Sequence, residues 1–243
     1  LACKDVGSGR LPKEEVLLDY IFRAIAKPKD LAGLRIAVTA GPTQEPLDPV
    51  RYLTNHSTGK MGYAIAERAA MRGAEVTLVS GPTALDTPKG VRRVDIKSAR
   101  DMYDAVLSRA DEQDFIIKAA AVGDYRPAET ASEKLKKADG ELNLRLARNP
   151  DILASLGERK RPGQLLCGFA METSQLEERA RGKLERKNLD LIAANNLKVA
   201  GAGFGTDTNV ITLIDKQQTR HLEQMSKEAA AMEILTVLRD MMK

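Results

Sequence analysis

Short apolar runs alternate with stretches of helical period along most of this chain, and that alternation limits the fold more than any single motif does. The runs lie at 35–39, 75–80, 92–95, 114–119, 165–169 and 190–194. Stretches whose apolar residues recur at helical spacing lie at 61–72, 98–110, 150–159 and 174–187. Strands and helices in that order predict an α/β domain, doubly wound, with a mostly parallel, Rossmann-like sheet covered on both faces. Within 114–119 the continuous core Phe115–Ile117 suits a strand buried on both sides. Apolar residues are 43% of the 243, which supplies the core such a sheet needs.

Other segments stand outside the alternation. Lys13 to Ile25 carries Val16, Leu17, Tyr20, Ile21 and Ala24 on one helical stripe, and Pro28 ends it. Residues 133–146 place Glu133-Lys134-Leu135-Lys136-Lys137 and Glu141-Leu142-Asn143-Leu144-Arg145-Leu146 on either side of Asp139-Gly140, a strong hairpin signal. This predicts an inserted β-hairpin flap carrying lysines. Residues 209–214 read as a late strand. A last helix starts near Ser226 and turns Ala230, Ile234, Leu235 and Leu238 inward. Residues 1–32 form a tail and linker helix, and 33–243 the main domain.

Charge and composition narrow the function. The net charge of +4 is small and no arm concentrates it, so an acidic small molecule fits better than a polyanion. Aromatics are 4% and Trp is absent, which argues against base-stacking platforms and a nucleic-acid partner. Two cysteines far apart, Cys3 and Cys167, read as reduced thiols of a cytoplasmic protein. No run reaches the roughly 20 apolar residues of a membrane span. Only His56 and His221 are present, too few for a His-rich metal site, and the sequence does not identify metal ligands.

Candidate chemistry sits where strands end. Thr39-Ala40-Gly41-Pro42-Thr43 follows the first strand, where ligands bind in doubly wound sheets. There Gly41 permits a tight turn and Thr43 can donate to a phosphate or carboxylate; a plain turn explains Gly41-Pro42 equally well. The fingerprint Gly-x-Gly-x-x-Gly is absent, and Ser80-Gly81 supplies no acid for an adenosine ribose. Asn55-His56-Ser57-Thr58-Gly59-Lys60-Met61-Gly62 precedes a helix whose unpaired amides suit an anion. It is not a P-loop, because Met61 stands where Mg²⁺ needs Ser or Thr. The alternative is an ordinary N-cap by Ser57 or Thr58.

Further along, Ala119-Ala120-Ala121-Val122-Gly123-Asp124 lets a flat ligand approach the backbone, with Asp124 able to bind a ribose or base edge or to support a metal from behind its ligands; helix packing and a turn cap explain it equally well. On a strand, Lys134 and Lys136 share a face and could close over phosphates, or they are simply solvated charge. Asn149-Pro150-Asp151-Ile152 is a helix start with Asn149 as N-cap, or a set of amides presented to a nucleotide. Lys183 and Lys187 lie on one helix face and could hold a triphosphate, or pair with Glu177, Glu178 and Glu185 on the surface.

Taken together and in this order, these strings resemble one family, phosphopantothenoylcysteine synthetase, the carboxyl-terminal half of bacterial bifunctional coenzyme A biosynthesis proteins. The resemblance also includes Gly168-Phe169-Ala170-Met171-Glu172-Thr173 and Ala194-Asn195-Asn196, and spans roughly 33–240. It implies a ligase in which 4′-phosphopantothenate attacks CTP to give an acyl-cytidylate, which L-cysteine then converts to an amide. It implies Mg²⁺ or a similar ion, a homodimer, and an upstream flavin-dependent decarboxylase domain, whose tail residues 1–10 resemble. Lys4 stands there where that family usually has Gly, and without the upstream fold no decarboxylase activity is expected. Asn55 and Lys134 would be catalytic. Lys118, Ala119, Ala120, Asp124, Lys134, Asn149, Pro150, Asp151, Ile152, Phe169, Lys183 and Lys187 would contact the nucleotide. Gly41, Thr43, Asn55, Ser57 and Gly59 are expected at the acid substrate. The competing reading is an NAD(P)-binding Rossmann-type oxidoreductase, which accounts for the fold but not for the lysine segment.

Overall fold

Arg35–Ala40 forms β1, the strand about which the chain winds first one way and then the other in this computed structural model. The structure describes residues 29–137, 141–172, 175–196 and 205–242, with Glu14, Leu17, Leu18, Ile21 and Ile25 as helical positions ahead of them. The other residues of the Lys13–Ile25 stripe, Cys3 and the Asp139-Gly140 turn lie outside the described residues.

From β1 the chain makes two short antiparallel strands, β2 (Gln44–Pro46) and β3 (Tyr52–Thr54), then helix α1 (Lys60–Met71). Two parallel strands follow on one side of β1: β4 (Glu75–Ser80) beside it and β5 (Val91–Asp95) at the edge. After α2 (Ala99–Leu107) and a 3-10 turn at Ala110–Glu112, β6 (Phe115–Lys118) pairs with the other side of β1. The paired strands β7 (Tyr125–Pro127) and β8 (Leu146–Arg148) interrupt the winding. It resumes with α3 (Ile152–Arg159), β9 (Leu165–Glu172), α4 (Leu176–Arg186) and β10 (Leu191–Asn196). The chain closes with β11 (Thr208–Asn209), β12 (Ile211–Asp215), β13 (Thr219–His221), β14 (Met225–Ser226) and α5 (Lys227–Asp240). The eight-stranded sheet runs β13-β12-β10-β9-β6-β1-β4-β5, parallel from β10 to β5 and antiparallel at β12 and β13. Its order reverses between β1 and β6, which opens a crevice at their carboxyl ends.

Side chains that alternate across the strands fill a core on each face. Ile36, Val38 and Ala40 of β1 pack with Phe115 and Ile117 against Ile65, Ala66 and Ala69 of α1 and Ile234, Leu235 and Leu238 of α5. Ala37, Ile116 and Leu166 face Met102 and Val106 of α2, Leu153 and Leu156 of α3, and Leu184 of α4.

Several expectations change in detail. The helix expected to begin at Pro150 with Asn149 as its cap begins at Ile152, because Asp151 accepts the Ala154 amide at 3.0 Å. Asn149 instead donates to the Gly123 carbonyl at 2.9 Å, bracing the turn after β6. The helix start at Lys60 is not capped by Ser57 or Thr58; Gly59 occupies the cap position without a side-chain hydrogen bond. Residues 133–137 are not a strand, so Lys134 and Lys136 do not share a strand face. The reason is a contact with a distant part of the chain: the Leu135 amide donates to Asp48 at 3.1 Å, and Arg51 donates to the Leu135 carbonyl at 2.7 Å. Side chains take both ladder groups. Among the described residues of the expected hairpin, only Leu146 is in a strand, at the start of β8, which pairs with β7.

Candidate functional site

The crevice at the carboxyl ends of β1 and β6 is the mouth of a two-armed cleft. One arm, a cavity of about 310 Å³, is lined by Asn55, the Ser57–Gly62 turn, Lys118 to Val122, Asp124, Phe169, Met171, Lys183, Asn195, Asn209 and Lys227. The other, of about 350 Å³, is lined by Lys118, Val122 to Tyr125, Arg148 to Leu153, Lys183 and Lys187. Lys118, Val122, Asp124 and Lys183 belong to both, so the arms meet along the end of β6.

Glycine geometry builds the first arm. Gly59 turns the chain into α1 at φ +82°, a left-handed conformation that strains other residues. Three residues later, a Cβ on Gly62 would lie 2.6 Å from the Ala40 Cβ and 2.8 Å from the Thr39 carbonyl oxygen. Only a bare backbone lets the first turn of α1 sit on the end of β1, where Gly59 to Gly62 line the cleft. Beside this turn Lys60 donates to Asp207 at 2.6 Å and to the Gly205 carbonyl at 3.0 Å. Lys227, at the start of α5, contacts the Thr206 carbonyl.

Asn55 lies just past β3. Thr54 donates its hydroxyl to the Thr43 carbonyl at 2.8 Å, and Asn55 Nδ2 donates to the Ala121 carbonyl at 3.0 Å. The loops after β1, β3 and β6 are thereby fastened together. Thr43 does this from the interior: it is fully buried, and its hydroxyl accepts the Gly123 amide at 2.9 Å. Thr43 and Gly41 therefore shape the wall of the cleft and do not line it, contrary to their expected place at a substrate.

The second arm is cationic. Lys183 donates to the Phe169 carbonyl at 2.6 Å, and Lys187 pairs with Asp151 at 2.6 Å rather than with the glutamates of α4. Lys118 lines the same arm. Its burial and the neighbouring Lys183 and Lys187 charges pull its pKa down to about 8, against the opposing pull of Asp151 and Asp124. Burial raises the Asp151 pKa, but the Lys187 ammonium, the Ala154 amide and Lys118 reverse this and hold it below the usual range. An anion bound here restores the Lys118 proton. Between about pH 8 and pH 10, anion binding should take up a proton, and affinity should fall as pH rises through about 8. Calorimetry at pH 9 in buffers of different ionisation enthalpy measures the uptake; none at all would contradict this account of Lys118.

The structure brings most of the expected residues together: Asn55, Ser57, Gly59, Lys118, Ala119, Ala120, Asp124, Asn149, Pro150, Asp151, Ile152, Phe169, Lys183 and Lys187 all line one arm or the other. Lys134 does not; it is exposed on the irregular segment beside Asp48. Lys60 and Asn195, quoted within longer strings but given no role of their own, also line the first arm, as do Lys227 and Asn209, which sequence reasoning missed. Val210 donates its amide to Asn209 Oδ1 at 3.0 Å, which fixes that oxygen as the acceptor for Asn195 Nδ2. Asn195 Oδ1 is left buried with no hydrogen-bond partner among the described residues. Cys167 is buried within β9, and burial raises its thiol pKa, so it is not a nucleophile. No helix among the described residues is long and apolar enough to cross a membrane.

The chain matches the family model of the DNA/pantothenate metabolism flavoprotein C-terminal domain over residues 31–242. It is 48% identical over 243 residues to the coenzyme A biosynthesis bifunctional protein CoaBC of Vibrio vulnificus strain YJ016, covering 99% of this chain and 60% of that protein. Its identity to the protein of the same name from Bacillus subtilis strain 168 is 49% over 239 residues, 97% of this chain and 59% of that one. The chain thus spans about three-fifths of the curated relatives it matches. Among solved structures, the C-terminal domain of a CoaBC protein superposes with a TM-score of 0.76 at 44% identity, covering 88% of this chain and 98% of that one.

Proposed function

The chain belongs to the family of DNA/pantothenate metabolism flavoprotein C-terminal domains, and from that membership we propose that it is a ligase joining 4′-phosphopantothenate to L-cysteine with CTP as the activating nucleotide. The observation that carries the reading is the pair of cationic arms that meet at Lys118, Val122, Asp124 and Lys183, with Asn55 lining the first of them. Two anionic substrates that must react with each other need that arrangement: each held by its own phosphates, with their reactive ends at the junction.

In this reading the triphosphate lies in the second arm, against Lys118, Lys183, Lys187 and the amides at the start of α3. The acid lies in the first, its phosphate at the turn before α1 with Lys60 and Lys227. Ala119 to Ala121 and Phe169 give the nucleotide an apolar bed. A carboxylate oxygen attacks the α-phosphorus of CTP and pyrophosphate leaves. The amine of cysteine then attacks the acyl carbon, the carbon–oxygen bond breaks, the amine gives up its proton and CMP departs. Activation makes a poor leaving group good, so the protein contributes placement and charge neutralisation, not a strong base. Such a site is rich in Lys and Asn, as this one is.

Among the described residues no group of three or more His, Cys, Asp or Glu side chains is placed to hold a metal. That donor set fits Mg²⁺ carried in on the triphosphate, since Mg²⁺ keeps waters and binds through phosphates and one or two carboxylates. Asp124, which lines both arms, would be the protein ligand, and the ion would neutralise phosphate charge. Dimerisation and an upstream decarboxylase domain in the native polypeptide belong to the same proposal.

The test is pyrophosphate release. It should require CTP and 4′-phosphopantothenate together, and CMP release should require cysteine in addition. Pyrophosphate release from CTP without the acid would contradict the order of steps. Tight NAD(P)H binding without CTP binding would instead favour an oxidoreductase.

A further inference from the structure

Asp48 lies in the turn between β2 and β3, outside the cleft, and is 3% exposed. Its Oδ1 accepts the amides of Val50 and Arg51, each at 2.8 Å. Its Oδ2 accepts the Arg51 guanidinium at Nε, 2.9 Å, and the Leu135 amide at 3.1 Å. Burial alone would raise the pKa of this carboxyl, but Arg51 and the amides of Val50, Leu135 and Arg51 hold it well below the usual range. The same guanidinium donates to the Leu135 carbonyl. One ion pair therefore grips both main-chain polar groups of a residue far away in sequence. The chain leading up to Leu135 is held by the same hairpin: Ala131 donates its amide to the Leu47 carbonyl at 3.0 Å, and Thr130 its hydroxyl to the Pro46 carbonyl at 3.1 Å.

This grip has a consequence for reactivity. The β2–β3 hairpin ends at Thr54, next to Asn55, and the Leu135 grip is one residue from Lys134. A residue adjacent to a fixed point stays within one Cα step of it, about 3.8 Å, while a long side chain still sweeps freely. We infer that Asp48 is a positioning residue: with Arg51 it clamps the Leu135 main chain to the β2–β3 hairpin, so that one rigid element carries both Asn55 and the base of the Lys134 side chain. The inference rests on the reading that Lys134 serves the first chemical step.

A double-mutant cycle tests it. Asp48→Asn keeps the shape but turns an acceptor into a donor facing other donors. It should lower kcat for pyrophosphate release roughly 10- to 100-fold, with the KM for CTP changed less than about 3-fold. In a Lys134→Ala background the same change should cost less than about 3-fold, because residues that act through one another are not additive. An equal loss in both backgrounds, or no loss in the first, would overturn the inference. Arg51→Lys, which keeps the charge but not the fork, should act in the same direction and guards against a misfolded Asp48 variant. A readout that does not depend on chemistry is trypsin cleavage of the folded protein after Lys134 and Lys136. Cleavage should be about 10-fold faster in Asp48→Asn, as expected when local opening is eased; unchanged cleavage would refute the clamp. Should Lys134→Ala keep full activity, the assigned role of Lys134 fails, and the cleavage rate alone decides whether the clamp exists.

Discussion

Asn55→Ala should release pyrophosphate at close to the normal rate yet form the amide roughly 10²- to 10³-fold more slowly, the usual cost of losing one preorganised donor at a developing oxyanion. An amide nitrogen carries two protons. Ala121 takes one from Asn55 at 3.0 Å, which fixes the side chain on the wall of the first arm. The other can meet the acyl oxygen as cysteine attacks and charge builds there. Pyrophosphate departure places its charge further into the cationic arm, near Lys118, Lys183 and Lys187, and needs Asn55 less. The acyl-nucleotide should therefore accumulate, and acid quench followed by chromatography would display it. Equal slowing of both half-reactions would remove Asn55 from this role.

Lys134→Ala should have the opposite profile. Pyrophosphate release should fall by roughly 10²- to 10³-fold, while preformed acyl-cytidylate still reacts with cysteine. The lysines of the second arm are engaged within the fold, Lys183 with the Phe169 carbonyl and Lys187 with Asp151. They suit ground-state binding of a triphosphate. Lys134 is exposed and tethered through its neighbour Leu135, and in the proposed reading it adds its charge once the nucleotide is seated. Binding without catalysis is the expected signature: CTP affinity changed less than about 3-fold while turnover collapses. Nucleotide binding by calorimetry beside rapid-quench kinetics would measure both. A loss confined to CTP affinity would reassign Lys134 to binding.

Much of the frame was legible because its signals are periodic. Phe115–Ile117 reads as a strand buried on both faces and lies between β1 and β9 at the centre of the sheet. The strand ends that carry chemistry follow directly from such runs. Contacts formed across long separations were not legible. Gln44–Pro46 and Tyr52–Thr54 are too short and too polar to show a period, yet their pairing delivers Asn55 to the cleft. The residues after Glu133 alternate like a strand, but Asp48 and Arg51 take the groups a ladder would use. Asn149 has the composition of a cap, but Asp151 stands two residues nearer the helix and wins the position. Thr43 suggested a ligand contact because nothing in its neighbours indicated that it would be fully buried. Lys227 reads as an ordinary first-turn residue, and only the packing of α5 beside α1 brings it to the cleft.

Oxygen transfer tests the central claim most directly. When 4′-phosphopantothenate labelled with ¹⁸O in its carboxylate is converted to the amide, an acyl-nucleotide path leaves one carboxylate oxygen in the amide and gives the other to CMP. Mass spectrometry of the products should find one labelled oxygen in CMP and none in pyrophosphate. Label in orthophosphate, with CDP as the other product, would mean activation at the terminal phosphate and would contradict the proposed reaction.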